Sequence, residues 1–224
     1  MELHDSRPSY PKMAPTVMTV IDLTKAFDLV SRDGLFKILA KIGCPPTLLS
    51  IVKSFHDNMK RTVLYDGATS DPFNILSGVK QGCVLAPTLF GIFFATLLKH
   101  AFGKSTEGIY LRTRSDGNLF KLSRLRAKTR VHEKYVRDPL FADDAVITTH
   151  TQEDLQRLLD RFSDACRHFG LTISLAKTQV MGQDIKEIPS LFIHNYKLEV
   201  VHEFVYLGST MMYNLSIDSE LNKQ

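Results

Sequence analysis

Three aspartates in this 224-residue chain end or interrupt apolar runs that are typical of buried strands. Asp22 follows residues 17–21, and Asp143 and Asp144 interrupt residues 140–147. A buried strand tolerates a carboxylate only where something uses its charge. Carboxylate oxygens bind Mg²⁺, and two divalent ions about 3.5–4 Å apart can activate an attacking hydroxyl and neutralise leaving phosphates. If the two strands are neighbours in one sheet, their carboxylates converge on a two-metal site.

The adjacent pair of acids has a second interpretation. Successive side chains of a strand point to opposite faces, so Asp143 and Asp144 can share one site only near a tight turn. Asp143 is therefore the stronger candidate. Taken alone, the pair is better explained as the polar tip of a hairpin.

Hydrophobic periodicity predicts alternating helices and strands around these acids. Ser31 can cap a helix that Gly43 ends, and Thr151 begins a helix that runs to the stop signal Gly170. Further helices are predicted at residues 48–55 and 87–98, and strands at residues 17–21, 61–65, 73–76, 109–112, 119–122, 140–147, 171–175 and 204–207. The short links predict an α+β or α/β fold with a largely antiparallel sheet.

The composition excludes several classes of protein. With 44% apolar and 23% charged residues, the chain is expected to be globular with one good core. Its longest apolar run, residues 89–98, is half the length that a membrane-spanning helix needs, and residues 1–16 contain no secretory signal. The three cysteines are widely spaced, which favours a reducing compartment. We therefore expect a nuclear or cytoplasmic protein without a membrane partner.

The positive charge is concentrated in one segment. Residues 112–137, called the basic stripe below, contain nine Lys or Arg and two Asp or Glu, whereas the whole chain carries only +4. Such a segment suits sequence-independent contact with nucleic-acid phosphates. A solvated basic loop is the alternative, and the charge run alone favours it.

Five segments, in one order, resemble the motifs of reverse transcriptases from non-LTR retrotransposons. They are IDLTKAFD at residues 21–28 (motif A), GVKQG at 78–82 (motif B), FADD at 141–144 (motif C), GLTISLAKT at 170–178 (motif D) and FVYLGS at 204–209 (motif E, the primer grip). Each segment is short, but the ordered set covers most of the chain. The resemblance implies an α+β polymerase palm, with an antiparallel sheet flanked by helices and part of the fingers.

The resemblance also implies residue roles. Asp22, Asp143 and Asp144 would hold two Mg²⁺ or Mn²⁺ ions for nucleotidyl transfer, and Phe27 would act as the steric gate against a ribose 2′-hydroxyl. Nucleotide contacts would come from Gln81, Gly82 and Lys177, and the primer grip from Tyr206, Leu207 and Gly208. Each role has a simpler alternative: a core aromatic, a plain turn, a surface lysine and an edge strand.

The implied partners are an RNA template, a DNA primer and deoxynucleoside triphosphates. Residues 17–209 would form the reverse transcriptase domain, with residues 1–16 and 210–224 as terminal segments of truncated fingers and thumb. Ser174 stands where these enzymes usually carry Asn, and the basic stripe is a long insertion between motifs B and C. No segment before Val17 resembles the fingers strands that contact the triphosphate.

Other readings of the chain fit less well. The sequence GKS at residues 103–105 is similar to the end of a P-loop, but its first glycine would fall at Leu98. RNA-dependent RNA polymerases usually carry Gly before the paired acids and lack a bulky aromatic at the Phe27 position. The strongest rival is a catalytically inactive retroelement remnant that binds nucleic acid through the basic stripe.

Overall fold

The computed structural model describes residues 15–103, 105, 107–114, 131–136, 140–141, 144–185, 187–206 and 208–214. Its helices are α1 (Ala26–Leu29), α2 (Arg32–Lys41), α3 (Pro46–Ser54), α4 (Ala86–Phe102) and α5 (Gln152–Phe169). Its strands are β1 (Thr16–Ile21), β2 (Leu23–Thr24), β3 (Lys60–Arg61), β4 (Leu64–Tyr65), β5 (Ala68–Thr69), β6 (Phe73–Asn74), β7 (Ile109–Arg114), β8 (Val131–Val136), β9 (Leu140–Phe141), β10 (Asp144–Thr149), β11 (Thr172–Ile173), β12 (Gln179–Gln183), β13 (Phe192–Ile193), β14 (Tyr196–Lys197), β15 (Glu199–Val200), β16 (Glu203–Tyr206) and β17 (Ser209–Met212). The four predicted helices are confirmed as α2 to α5.

A five-stranded sheet, in the order β15-β12-β1-β10-β9, forms the centre of the fold. Strand β1 pairs antiparallel with β10, with Val17 opposite Thr149 and Ile21 opposite Ala145, and pairs on its other edge with β12. The sheet is antiparallel except where β12 and β15 run parallel. The predicted α+β class and largely antiparallel sheet are confirmed, with one parallel pair at the edge.

Helices α4 and α5 cover one face of this sheet. Ile21 and Ile147 of the sheet belong to one buried cluster with Leu97 of α4 and with Leu158 and Phe162 of α5. All five side chains are at most 1% exposed. Within the described residues, no helix is both long enough and apolar enough to cross a membrane.

The other face of the sheet carries a smaller apolar cluster. Met18, Val146 and Met181 of the sheet pack there against Phe204 of β16. Strands β16 and β17 form an antiparallel hairpin, and Gln183 Nε2 donates to the Met212 carbonyl at 2.9 Å. The hairpin that contains motif E therefore lies against the face opposite the helices.

The helix ends follow their local signals. Ser31 Oγ accepts a hydrogen bond from Gly34 N at 3.2 Å, and Thr151 Oγ1 accepts one from Asp154 N at 3.1 Å. Each serves one of the backbone N–H groups that a helix start leaves without a partner. Gly170 ends α5 with φ at 76°, a conformation that glycine adopts at little cost.

Several predicted strands differ in extent. Residues 61–65 contain the end of β3 and all of β4, and residues 73–76 contain β6, which pairs with β3. The predicted turn at Asp66 and Gly67 joins β4 to β5, a strand that was not predicted. Residues 140–147 are two strands, because Asp144 of β10 pairs with Phe141 of β9. Strands β9 and β10 therefore run antiparallel to each other, and Asp143, between them in the chain, lies outside the described residues.

Of two other strand predictions, one falls partly outside the described residues and one differs in extent. Strand β7 pairs with β8, with Arg114 opposite Val131, whereas the expected partner at residues 119–122 lies outside the described residues. Strand β11 ends before residue 175 because Lys177 N and Thr178 N both donate to the Ser174 carbonyl and form a turn.

Burial of the Cys166 thiol predicts a contrast in cysteine reactivity. Desolvation raises the pKa of Cys166 to about 12, and its side chain is 2% exposed, whereas Cys83 is exposed. Because the thiolate is the nucleophile, iodoacetamide at pH 8 should label Cys83 and leave Cys166 unlabelled until the chain is unfolded in urea. Mass spectrometry of the peptides measures this, and equal labelling of both cysteines in the folded chain would contradict the packing.

The same shift predicts a pH dependence of stability. An unfolded cysteine ionises near pH 8.5, whereas folding holds Cys166 as the neutral thiol. Its contribution to the free energy of unfolding is therefore complete below about pH 8.5 and lost as the pH rises towards 12. Urea titrations at pH 8 and pH 10, with Cys166→Ala as the control, should show a smaller loss of stability in the variant.

Candidate active site

Asp22 lies at the end of β1, beside the start of β10. Ile21 is paired with Ala145, so one further step of the same register brings residue 22 next to Asp144, whose backbone begins β10. The Asp22 carbonyl accepts a hydrogen bond from Ser174 N at 2.9 Å, which ties motif D to motif A. The predicted neighbourhood of the two acid-bearing strands is confirmed, and α5 packs behind them.

The alternation of side chains along β1 places position 22 on the same face of the sheet as Met18 and Val20. Met18 and Val20 contribute to the cluster on the face that carries β16, and the position after Ile21 continues their alternation. Tyr206 packs against the same cluster and is half-buried. The acid of motif A and the hairpin of motif E therefore belong to the face opposite the helices.

Lys177 is the cation that approaches Asp22. Its Nζ lies 3.8 Å from Asp22 Oδ2, and the two side chains are 72% and 35% exposed. The turn at residues 174–178 sets this position, since the Ser174 carbonyl accepts from Lys177 N at 3.1 Å. An ion pair this exposed contributes little to stability, so both charges remain accessible to a ligand.

The motif B loop is fixed on the motif A segment through backbone hydrogen bonds. Gly78 N donates to the Val30 carbonyl and Val79 N to the Phe27 carbonyl, both at 2.9 Å. Gly78 has φ at +82°, and a Cβ there would lie 2.7 Å from the Asp28 carbonyl oxygen. Only glycine permits this approach, because a side chain would meet backbone atoms that cannot rotate away.

Gln81 and Gly82 lie just beyond this fixed part of the loop. Both are exposed, and Gly82 has φ at +84° with open space around it. The glycine is thus used here for backbone conformation rather than for close packing. The loop is docked on the motif A segment at Gly78, and the surfaces of Gln81 and Gly82 remain accessible.

Phe27 is half-buried and stacks on Phe90 of α4. The ring centroids are 4.4 Å apart with an interplanar angle of 19°. Phe90 in turn stacks on Phe94 at 5.5 Å, so the Phe27 ring rests on a rigid aromatic support. The ring has a packed side, as an ordinary core aromatic would, and also an accessible part, which a gate residue requires.

The primer-grip residues lie on the hairpin of β16 and β17. Tyr206 pairs with Ser209, and Gly208 has φ at +84° at the turn between the strands. The predicted strand at residues 204–207 is present over Glu203–Tyr206. Leu207 lies outside the described residues.

The structure describes only some of the predicted metal ligands. Asp143 lies outside the described residues, and Asp144 is described by its backbone. Among the side chains that are described, no group of three or more His, Cys, Asp or Glu could hold an ion. Asp22 supplies a partly exposed carboxylate at the sheet end, and its oxygen donors fit the preference of Mg²⁺.

Sequence reasoning missed Arg32, the first residue of α2. Burial lowers the pKa of its guanidinium, an effect that the charge of Asp57 partly offsets. Its side chain donates to the carbonyl groups of His56, Ile75 and Ser77, among others. No periodicity or motif in the sequence signals such a residue, because its acceptors are backbone atoms on distant segments.

The fold resembles that of solved telomerases. Apo telomerase from Candida tropicalis, truncated from its C-terminal domain, matches with a TM-score of 0.60 at 15% identity, covering 92% of this chain and 35% of that chain. Telomerase from Candida tropicalis in complex with the TWJ fragment of telomeric RNA matches with a TM-score of 0.58 at 12% identity, covering 95% and 31%. At these identities the similarity shows a shared fold.

Residues 4–211 match the family model described as reverse transcriptase (RNA-dependent DNA polymerase). The chain belongs to this family, which confirms the predicted resemblance. The RNA-directed DNA polymerase from mobile element jockey of Drosophila funebris is 30% identical over 196 residues, 84% of this chain and 19% of that protein. The Pol polyprotein of the type-2 element R2DM of Drosophila melanogaster is 28% identical over 162 residues, 72% and 13%. The chain therefore spans less than a fifth of each of these two relatives.

Replacing Gly78 tests the contact between motifs A and B. Gly78→Ala should lower the free energy of unfolding by roughly 1 kcal/mol for the positive φ and by roughly 1–3 kcal/mol more for the clash with the Asp28 backbone. Gly67→Ala is the matched control, because Gly67 has φ at +78° with nothing near its Cβ position. Urea unfolding measures both, and an equal loss in the two variants would show that the loop is not docked on Asp28.

Proposed function

We propose that this chain is the catalytic palm, with part of the fingers, of an RNA-directed DNA polymerase. It adds deoxynucleotides to a DNA primer along an RNA template. The observation that carries the proposal is the pairing of β1 with β10, which brings Asp22 beside the strand that begins with Asp144. Membership of the reverse transcriptase family supports the reaction class.

The metal ligands would be Asp22, Asp143 and Asp144. They would hold two Mg²⁺ or Mn²⁺ ions, which when bound supply charge neutralisation at the reacting phosphate and lower the pKa of the attacking hydroxyl. The carboxylate of Asp22 is accessible for this role, since it is 35% exposed and its ion-pair partner Lys177 is 72% exposed. Oxygen ligands at an open edge suit ions that are shared with a substrate triphosphate.

The remaining site residues bind and orient the nucleotide. Phe27, supported from behind by Phe90, would exclude a 2′-hydroxyl beneath the sugar. Gln81 and Gly82 would line the base pair that forms, and Lys177 would hold the triphosphate and could give a proton to the leaving pyrophosphate. The 3.8 Å between Lys177 Nζ and Asp22 Oδ2 supports a shared site for the cation and the carboxylate.

The proposed partners are an RNA template, a DNA primer and deoxynucleoside triphosphates. Tyr206, Leu207 and Gly208 would seat the primer end, and the packing of β16 on the face that includes Met18 supports this assignment. A telomerase of similar fold is solved with telomeric RNA. The basic stripe would add sequence-independent phosphate contacts, so binding should weaken steeply as salt rises.

Single-nucleotide incorporation tests the proposed reaction. With protein in excess over a primed RNA template, Asp22→Asn and Asp143→Ala should each lower incorporation by roughly 100-fold or more, the scale of losing one electrostatic group at a reacting centre. The control Asp71→Asn removes an exposed aspartate far from β1 in sequence and should retain activity. A denaturing gel reads the product.

The same assay distinguishes the catalytically inactive remnant. Salt-sensitive binding of primed template with no incorporation by the parent chain, in Mg²⁺ or Mn²⁺, would favour the remnant and reject the polymerase. We expect the chain by itself to add few nucleotides per encounter, because processive extension needs a held product duplex. Long products from the chain alone would contradict that expectation.

The steric gate has its own prediction. Phe27→Ala should raise ribonucleotide incorporation relative to deoxynucleotide incorporation by roughly 10-fold or more, because the change removes a clash and leaves the metal ligands intact. Phe94→Leu, in the same aromatic stack but one ring further away, is the control for loss of packing. Unchanged sugar discrimination in Phe27→Ala would leave Phe27 as a core aromatic.

A further inference from the structure

Arg32 uses its whole guanidinium group to hold the backbone near the motif B loop. Its Nε donates to the Gly78 carbonyl at 2.9 Å, and its Nη1 donates to the carbonyls of His56 and Ile75 at 2.8 and 2.9 Å. Its Nη2 donates to the Ser77 carbonyl at 3.1 Å and to Met59 Sδ at 3.3 Å. These contacts join the residues that follow α3 and the loop that follows β6 to the start of α2.

The number of contacts limits what Arg32 can do. A guanidinium has five N–H donors in a rigid fork, and all five have acceptors within the protein. No donor is left for a phosphate or a carboxylate. Arg32 is therefore not a ligand for the triphosphate or for a nucleic-acid backbone, although its charge would suggest either.

Arg32 connects the motif B loop to the residues that follow motif A. It begins α2, directly after the motif A segment, and Val30, two residues earlier, accepts from Gly78 N. The Gly78 residue is thus held on both sides: its N–H by Val30 and its carbonyl by Arg32. Gln81 and Gly82 follow Gly78 within four residues. The orientation of these two residues therefore depends on the two hydrogen bonds that hold Gly78.

We propose that Arg32 is a positioning residue that fixes the motif B loop for the incoming nucleotide. The inference rests on the proposed function and goes beyond it by assigning a role to a residue outside the five motifs. A point charge in its place would not do the same, because Lys offers three donors at one atom and cannot reach carbonyls on both segments at once. The affinity for the nucleotide should therefore depend on the five donors of the planar guanidinium and not on its positive charge.

The first measurement needs no polymerase activity. Native-state hydrogen exchange is compared in the parent chain, Arg32→Met, Arg32→Lys and the control Arg167→Met, which removes an exposed arginine that forms an ion pair with Asp164. In both Arg32 variants, the amides of Gly78 and Val79 should exchange roughly 10-fold faster or more, the factor that one lost hydrogen bond from a charged donor corresponds to. The amides of β1 should be unchanged.

The second measurement is the KM for a deoxynucleotide in single-nucleotide incorporation. Both Arg32 variants should raise this KM by roughly 10-fold or more with a smaller change in kcat, since the loop is displaced while the metal ligands remain. Arg167→Met should match the parent. Protection of Cys166 from alkylation shows whether each variant is folded. If Arg32→Met does not fold, Arg32→Lys provides both measurements.

Three results would contradict the inference, and they can be told apart. Full rescue of KM by Arg32→Lys would show that charge alone matters and would overturn the inference. Faster loop exchange with an unchanged KM would make Arg32 a purely structural residue and also overturn it. Absence of incorporation by the parent chain rejects the proposed function and the inference with it, whereas incorporation with an unchanged KM rejects the inference alone.

Discussion

The antiparallel pairing of β1 with β10 is the constraint on which the candidate site depends. It joins two segments that are far apart in the chain and sets Ile21 opposite Ala145, so that the residues just beyond them are neighbours. A shift of one position would reverse the faces and move Ile21 out of the cluster that α4 and α5 cover. The buried apolar face therefore fixes the register, and the register fixes where the acids lie.

The second requirement is a loop held close to the motif A segment without side chains between them. Gly78 permits the backbone contact, and Arg32 satisfies carbonyls that the loop leaves without partners in a sheet or helix. Phe27 continues the support into the core, because it stacks on Phe90, which neighbours Phe94. A residue proposed to contact the sugar thus shares its packing with the helix that follows motif B.

Much of the local structure could be predicted from the sequence because its causes are local. Ser31 and Thr151 cap helices within three residues of themselves, and Gly170 ends α5 where a left-handed residue is needed. The errors arose where distant contacts override local preference. The strand expected at residues 171–175 is shortened by a turn at Ser174, which also donates its N–H to Asp22.

The sequence by itself determined the order of the motifs, the helices and the apolar runs that flank Asp22 and Asp144, because residue type and period fix secondary structure and burial. Only the tertiary structure decided that β1 and β10 are neighbours, that Lys177 lies 3.8 Å from Asp22, and that Arg32 holds the loop. These contacts join residues whose separation in the chain carries no signal. They form because the buried face of the sheet permits one register, and that register brings the polar groups together.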